Sequence, residues 1–130
     1  MVDSGAIRRR LALGAAVLTA SGLLAVAAPG TAQAAASACS GRKVRTLSFE
    51  TGSVHVHKRD GYVCAVTVPT RPGAKRPMSV TVQARGNRPV TDRGTYAHRA
   101  GPVTVHAGHR CVRVGGSVGA GSLRTGWILC

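Results

Sequence analysis

The side chains that could do chemistry in this 130-residue chain are a G-x-S-x-G pentapeptide, five histidines, four acids and a large excess of cations. Gly115-Gly116-Ser117-Val118-Gly119 matches the hydrolase nucleophile pattern. That pattern works only where a strand turns sharply into a helix, with an oxyanion hole and Asp and His partners supplied from elsewhere. Here it falls in a glycine-rich stretch, where a flexible turn is expected instead. General acid–base work needs two carboxylates in one cleft with separated pKa values. Asp60 belongs to a turn, and Glu50 and Asp92 have no acidic neighbour in the chain. No enzyme is expected.

His55 and His57 stand two apart, so on a strand both project from one face. With His106 they are the candidate metal ligands, since imidazoles from paired strands can hold zinc or copper. Zinc wants three or four ligands held by hydrogen-bonded partners, and few carboxylates exist to serve. The expected arrangement is therefore Val54 and Val56 in the core with the histidines facing water, and no cofactor.

Charge is the strongest physical feature. Lys and Arg number 18 against 4 acids, a formal +14; from residue 35 onward there are 15 cations against Glu50, Asp60 and Asp92. Such a surface is attracted to polyanions. The adjacent pairs Arg42 and Lys43, Lys58 and Arg59, and Lys75 and Arg76 are the candidate polyanion-binding residues. Anionic cell-wall polymers are the expected partners. Sequence-specific nucleic-acid reading is not expected, because with four aromatic residues there is no stacking platform.

These groups must be positioned by a small exported domain. Arg8-Arg9-Arg10 is a positive n-region, Leu11 to Ala28 is apolar, and Pro29-Gly30 breaks the run. Ala32-Gln33-Ala34 then supplies a small-x-small cleavage site, with cutting after Ala36 or Ala38 nearly as plausible. Residues 1–34 are read as a cleaved signal peptide and 35–130 as one secreted β domain. Once the signal is removed, no amphipathic helix is left to insert stably in a membrane. Ala36-Ser37-Ala38-Cys39 resembles a lipoprotein box, but lipid on Cys39 would leave an odd three cysteines in an oxidising compartment.

Along the rest of the chain apolar and polar residues alternate with period two, which marks half-buried strands. Strands are expected at Val44–Phe49, Ser53–His57, Tyr62–Val68, Met78–Arg85, Val103–His106, Cys111–Val114 and Trp127–Cys130. Asp60-Gly61 supplies the positive φ that a two-residue hairpin turn needs. Gly86-Asn87 and Ala107-Gly108 mark further reversals, while Pro69–Pro77 and Gly115–Gly126 are read as strand-free loops. Six to eight short strands in under 100 residues imply an all-β fold, a small disulfide-stabilised antiparallel β-sandwich or barrel.

Cys39, Cys64, Cys111 and Cys130 allow three pairings. The expected pairs are Cys39–Cys64 and Cys111–Cys130, each fastening a terminal segment to a nearby hairpin strand. Closing loops of roughly 20 to 25 residues contributes on the order of 3 kcal/mol apiece. A core with so few aromatics needs that support.

Laid end to end, Gly61-Tyr62-Val63-Cys64-Ala65-Val66-Thr67, Asp92-Arg93-Gly94-Thr95-Tyr96, Ala100-Gly101-Pro102-Val103, Cys111-Val112-Arg113 and Gly126-Trp127-Ile128-Leu129-Cys130 form an ordered series. The series resembles the spore-associated protein A family, small exported proteins of filamentous actinobacteria. The resemblance spans about Cys39 to Cys130 and implies an extracellular β-protein of spore or mycelial surfaces, with spore-surface polymers added to the partners. It transfers no catalytic residues. The expected function is a non-enzymatic, surface-associated secreted protein. The alternatives are a cationic antimicrobial or polyanion-binding effector, or a protease inhibitor presenting Thr70–Pro77, where prolines after Arg71 and Arg76 disfavour a trypsin-like pocket.

Overall fold

The computed structural model describes residues 38–130, which fall within one compact unit, and within them every regular element is a strand. The expected signal peptide lies outside the described residues. The eight strands are β1 (Arg42–Phe49), β2 (Gly52–Arg59), β3 (Tyr62–Pro69), β4 (Arg76–Ala84), β5 (Val90–Tyr96), β6 (Ala100–His106), β7 (Val112–Val118) and β8 (Gly121–Arg124).

Two antiparallel four-stranded sheets face each other, one in the order β1-β2-β3-β6 and the other β5-β4-β7-β8. The chain changes sheet at β3–β4, β5–β6 and β6–β7, so β3 and β6 pair although two strands separate them in sequence. Alternation decides which side chains meet. Val54 and Val56 of β2, Val80 and Val82 of β4, and Val112, Val114 and Val118 of β7 are all fully buried between the sheets. Nine of the fourteen buried residues in this core are valines, so it is built from β-branched side chains that fit a pleated surface. Each contributes roughly 1.5–3 kcal/mol when fully removed from water.

The β2–β3 hairpin closes through Asp60 and Gly61, both with positive φ (49° and 83°), between the paired Arg59 and Tyr62. That is the two-residue turn whose twist matches its strands. Reversals also occur at Gly86-Asn87, where the Asn87 N–H donates to Ala84 O, and after Ala107, whose carbonyl accepts from the Arg110 N–H.

Four points of the strand assignment differ from the sequence expectations. Gly115–Gly126 is not a loop: β7 runs through Gly115, Gly116 and Ser117 to Val118, and β8 follows after a tight turn. The glycines serve packing here, because a Cβ on Gly116 would lie 2.5 Å from Thr67 Oγ1 and Val54 Cγ2 of the opposite sheet. Trp127–Cys130 is not a strand; only Ile128 bridges to Val112, through two backbone hydrogen bonds of 2.7 and 2.8 Å. Strand β5 carries no alternating apolar signature in the sequence, because its inward positions hold Asp92, Gly94 and Tyr96. The proline-rich loop is also shorter than expected, since β3 extends to Pro69 and β4 begins at Arg76.

Cysteines pair as expected, Cys39 with Cys64 and Cys111 with Cys130. The first bridge fastens the segment before β1 onto β3. The second returns the C-terminus to the start of β7. Disulfides of this kind persist in oxidising compartments.

Candidate functional site

Four of the six cations singled out in the sequence come together at one end of the β1-β2-β3-β6 sheet. Arg42 pairs with Lys58 and Lys43 with His57 across β1 and β2, and Arg59 follows at the hairpin tip. A shallow hollow of about 560 Å³ lies among Gly41, Arg42, Lys58, Arg59, Asp60 and Gly61. Asp60 approaches Arg59 at 3.7 Å, but both side chains are exposed, and such pairs contribute little. Gly41 is required here, since its φ of +95° and its approach to the Lys58 backbone exclude a side chain.

Lys75 and Arg76 do not join this group. They lie at the opposite end of the sandwich, where β3 gives way to β4. Arg76 donates from Nε to Ala74 O at 3.0 Å and from Nη2 to Arg71 O, so its guanidinium braces its own loop. Arg110 is committed in the same way, donating to the carbonyls of Ala107, Arg85 and His106.

A second basic face carries Arg93, Arg113 and Arg124, which are not among the candidate polyanion-binding residues. On β4, Met78, Val80 and Val82 point into the core, so Ser79, Thr81 and Gln83 point outward from the other sheet. Ser79 sits opposite Arg93 on β5 and Ser117 on β7, Gln83 opposite Arg113, and Gly115 opposite Arg124 on β8. The result is a hollow of about 430 Å³ with a floor of small polar residues and arginines around it. Its floor carries two hydroxyl pairs, Ser79 with Ser117 at 2.6 Å and Thr81 with Thr91 at 2.9 Å. No carboxylate lines it, and no ion pair among the described residues engages Arg93, Arg113 or Arg124. At one end the Arg113 guanidinium lies 4.3 Å from the ring centre of Trp127, with Arg85 at 5.5 Å. The available signal was the outward polar alternation Ser79, Thr81, Gln83, which is visible only once β4 is placed in a sheet.

His55, His57 and His106 occupy the outer face of the first sheet, but they do not all face water. His57 is only 7% exposed. The reason is the Cys39–Cys64 bridge, which draws the segment before β1 over this face and sets Gly41 against the imidazole. His57 Nδ1 lies 3.1 Å from Gly41 O and must donate there, leaving a buried Nε2 without a partner. His55 Nε2 lies 3.2 Å from Ser53 Oγ, and its buried Nδ1 is also unpartnered. Burial, then the charges of Lys43 and His57, lowers the His55 pKa below its ordinary 6.5. His106 stands on the same face two strands away, edge-on to Tyr62 with ring centres 4.8 Å apart. Among the described residues no group of three or more His, Cys, Asp or Glu side chains is placed to hold a metal.

Ser117 of the G-x-S-x-G pentapeptide lies inside β7, with no helix after it, and its hydroxyl pairs with Ser79. Asp92 is also engaged, accepting from Tyr96 and from the Gly101 backbone. Among the described residues no helix is long and apolar enough to cross a membrane. Comparison with protein-family models, curated proteins and solved structures found no match to this chain.

Proposed function

We propose that this chain is a non-enzymatic secreted protein that adheres to anionic polymers of a cell or spore surface through its basic β domain. The observation that carries this reading is the unneutralised charge of a rigid frame. Of three carboxylates after residue 35, Asp92 is held by structural hydrogen bonds and Asp60 reaches only Arg59. The remaining cations are displayed on strands and turns that two disulfides pin in place. Fixed cations attract a polyanion without the entropy cost of ordering a flexible tail. The signal-like N-terminal sequence, the two disulfides and the resemblance to the spore-associated protein A family support an extracellular surface as the place of action.

Co-sedimentation with washed actinobacterial cell walls and spores across a salt series tests the reading. Retention that falls steeply as salt rises is expected, because exposed charges are screened within about 10 Å at 0.1 M salt. Lack of retention at low salt would overturn it, and leakage from anionic vesicles or inhibition of trypsin would then point to the effector or inhibitor readings.

A further inference from the structure

We propose that adhesion is seated on the outer face of the β5-β4-β7-β8 sheet, and that its ligand is a phosphodiester-linked polyol or sugar polymer. This inference rests on the adhesion reading above and assigns it a site and a chemistry.

Three features of the face point to that ligand. Arginines frame it: Arg93 on one edge strand and Arg124 on the other are three strand spacings apart across the sheet and offset by two residues along it, roughly 16 Å in all. Arg113 lies two residues along β7 from the partner of Arg124, about 7 Å further. A chain crossing the strands therefore meets separate guanidiniums, as a polymer with regularly repeated anions requires. The planar fork of each guanidinium matches two phosphate oxygens.

The floor between them offers hydroxyls. Ser79, Ser117, Thr81 and Thr91 each spend one interaction on a neighbouring hydroxyl and keep further donor or acceptor capacity. Of these, Thr81, Thr91 and Ser117 are open enough to exchange hydrogen bonds with the hydroxyls of a polyol or sugar, while the buried Ser79 holds Ser117 in place. Gly115 in the middle of the floor adds no side chain, which leaves room for the chain to lie close to the sheet.

Other polyanions suit the face less well. Nucleic-acid bases need exposed aromatic rings to stack on, and the single tryptophan, Trp127, has Arg113 against its ring. Lipid bilayers would call for apolar groups to enter the headgroup layer, and the hollow's floor is polar.

Trp127 is also the built-in reporter, because ligand drawing Arg113 away from the ring changes its emission. The oxidised protein is titrated with poly(glycerol phosphate), and with polygalacturonate and single-stranded DNA of equal charge. The expected result is a saturable change in Trp127 emission with poly(glycerol phosphate), and affinity at least several-fold weaker for the other two. Replacing Arg93→Ala together with Arg124→Ala weakens binding roughly tenfold, from the loss of two charge-assisted contacts. Arg71→Ala with Arg99→Ala removes the same charge from exposed loops and shifts affinity less than about twofold, by screened long-range attraction alone.

Equal losses in the two double variants would overturn the site, as would a larger loss from Arg42→Ala with Lys58→Ala. Tighter binding of polygalacturonate or DNA would overturn the ligand chemistry. In those cases general adhesion survives, whereas failure of all three polymers to bind at low salt would overturn the adhesion reading itself.

Discussion

The Tyr96 hydroxyl donates to Asp92 Oδ1 at 2.6 Å, and the other carboxylate oxygen accepts the Gly101 N–H at 2.7 Å. Asp92 and Tyr96 lie on β5 of one sheet and Gly101 on β6 of the other, so one carboxylate ties the two sheets together at their edge. Tyr96 also covers Gly94, where a Cβ would lie 2.8 Å from its ring and hydroxyl. The Asp92–Tyr96 and Ala100–Val103 segments, far apart in their appeal to chemistry, thus form one structural joint.

Asp92→Ala is therefore expected to cost about 2 kcal/mol, because it leaves the Gly101 N–H without its charged acceptor. Urea denaturation measures this directly. The hydrogen bond to Asp92, then desolvation and the carboxylate's charge, raises the Tyr96 pKa above its ordinary 10.0. A raised pKa means stability that is complete below pH 10.0 and is lost as pH climbs through the raised value. Tyr96→Phe should remove that part of the alkaline loss, and an unchanged alkaline limb would contradict the coupling.

What could be read in the sequence follows from this contrast. Strands β2, β3 and β4 declare themselves because valines alternate with polar residues, and the Asp60-Gly61 turn declares the hairpin. Strand β5 does not, because Asp92 and Gly94 occupy its inward positions for reasons that lie on β6 and in the ring of Tyr96. Gly116 looked like loop chemistry, whereas its role is set by Thr67 and Val54 across the core. The charge excess is plain, but its division into two faces depends on strand order: Arg113 and Arg124 meet across the β7–β8 hairpin, and Arg93 joins their face only because β4 lies between β5 and β7.

Gly116→Ala tests the close approach of the sheets. A methyl there meets two fully buried side chains at 2.5 Å, and overpacking of this kind costs about 1–3 kcal/mol. Gly126→Ala, with open space around the new Cβ and no left-handed backbone, should shift stability by no more than about 0.5 kcal/mol. Equal thermal midpoints for the two variants would refute the packing role of Gly116.

His55 sets an acid limit. Because burial lowers its pKa, the stability it permits is present above pH 6.5 and is lost as pH falls from there through the lowered value. His55→Gln should flatten the stability profile below pH 6.5 while leaving it unchanged above. Denaturation midpoints collected from pH 8 to 4.5 would show this, and parallel profiles would exclude His55 as the source.

The Cys111–Cys130 bridge holds Trp127 beside Arg113 and Ile128 against Val112. Replacing Cys111→Ser together with Cys130→Ser is expected to cost about 2–5 kcal/mol. It should also shift Trp127 emission toward that of a solvated indole, before any global unfolding. Unchanged emission would mean that the C-terminal segment keeps its seat without the bridge.

Adhesion to anionic surface polymers is tested most directly by comparing retention of the oxidised protein on intact cell walls and on the same walls stripped of phosphate polymers. The basic β domain predicts salt-sensitive retention on intact walls that falls to the level of a neutral polysaccharide matrix after stripping. Equal retention on stripped and intact walls, indifferent to salt, would contradict it.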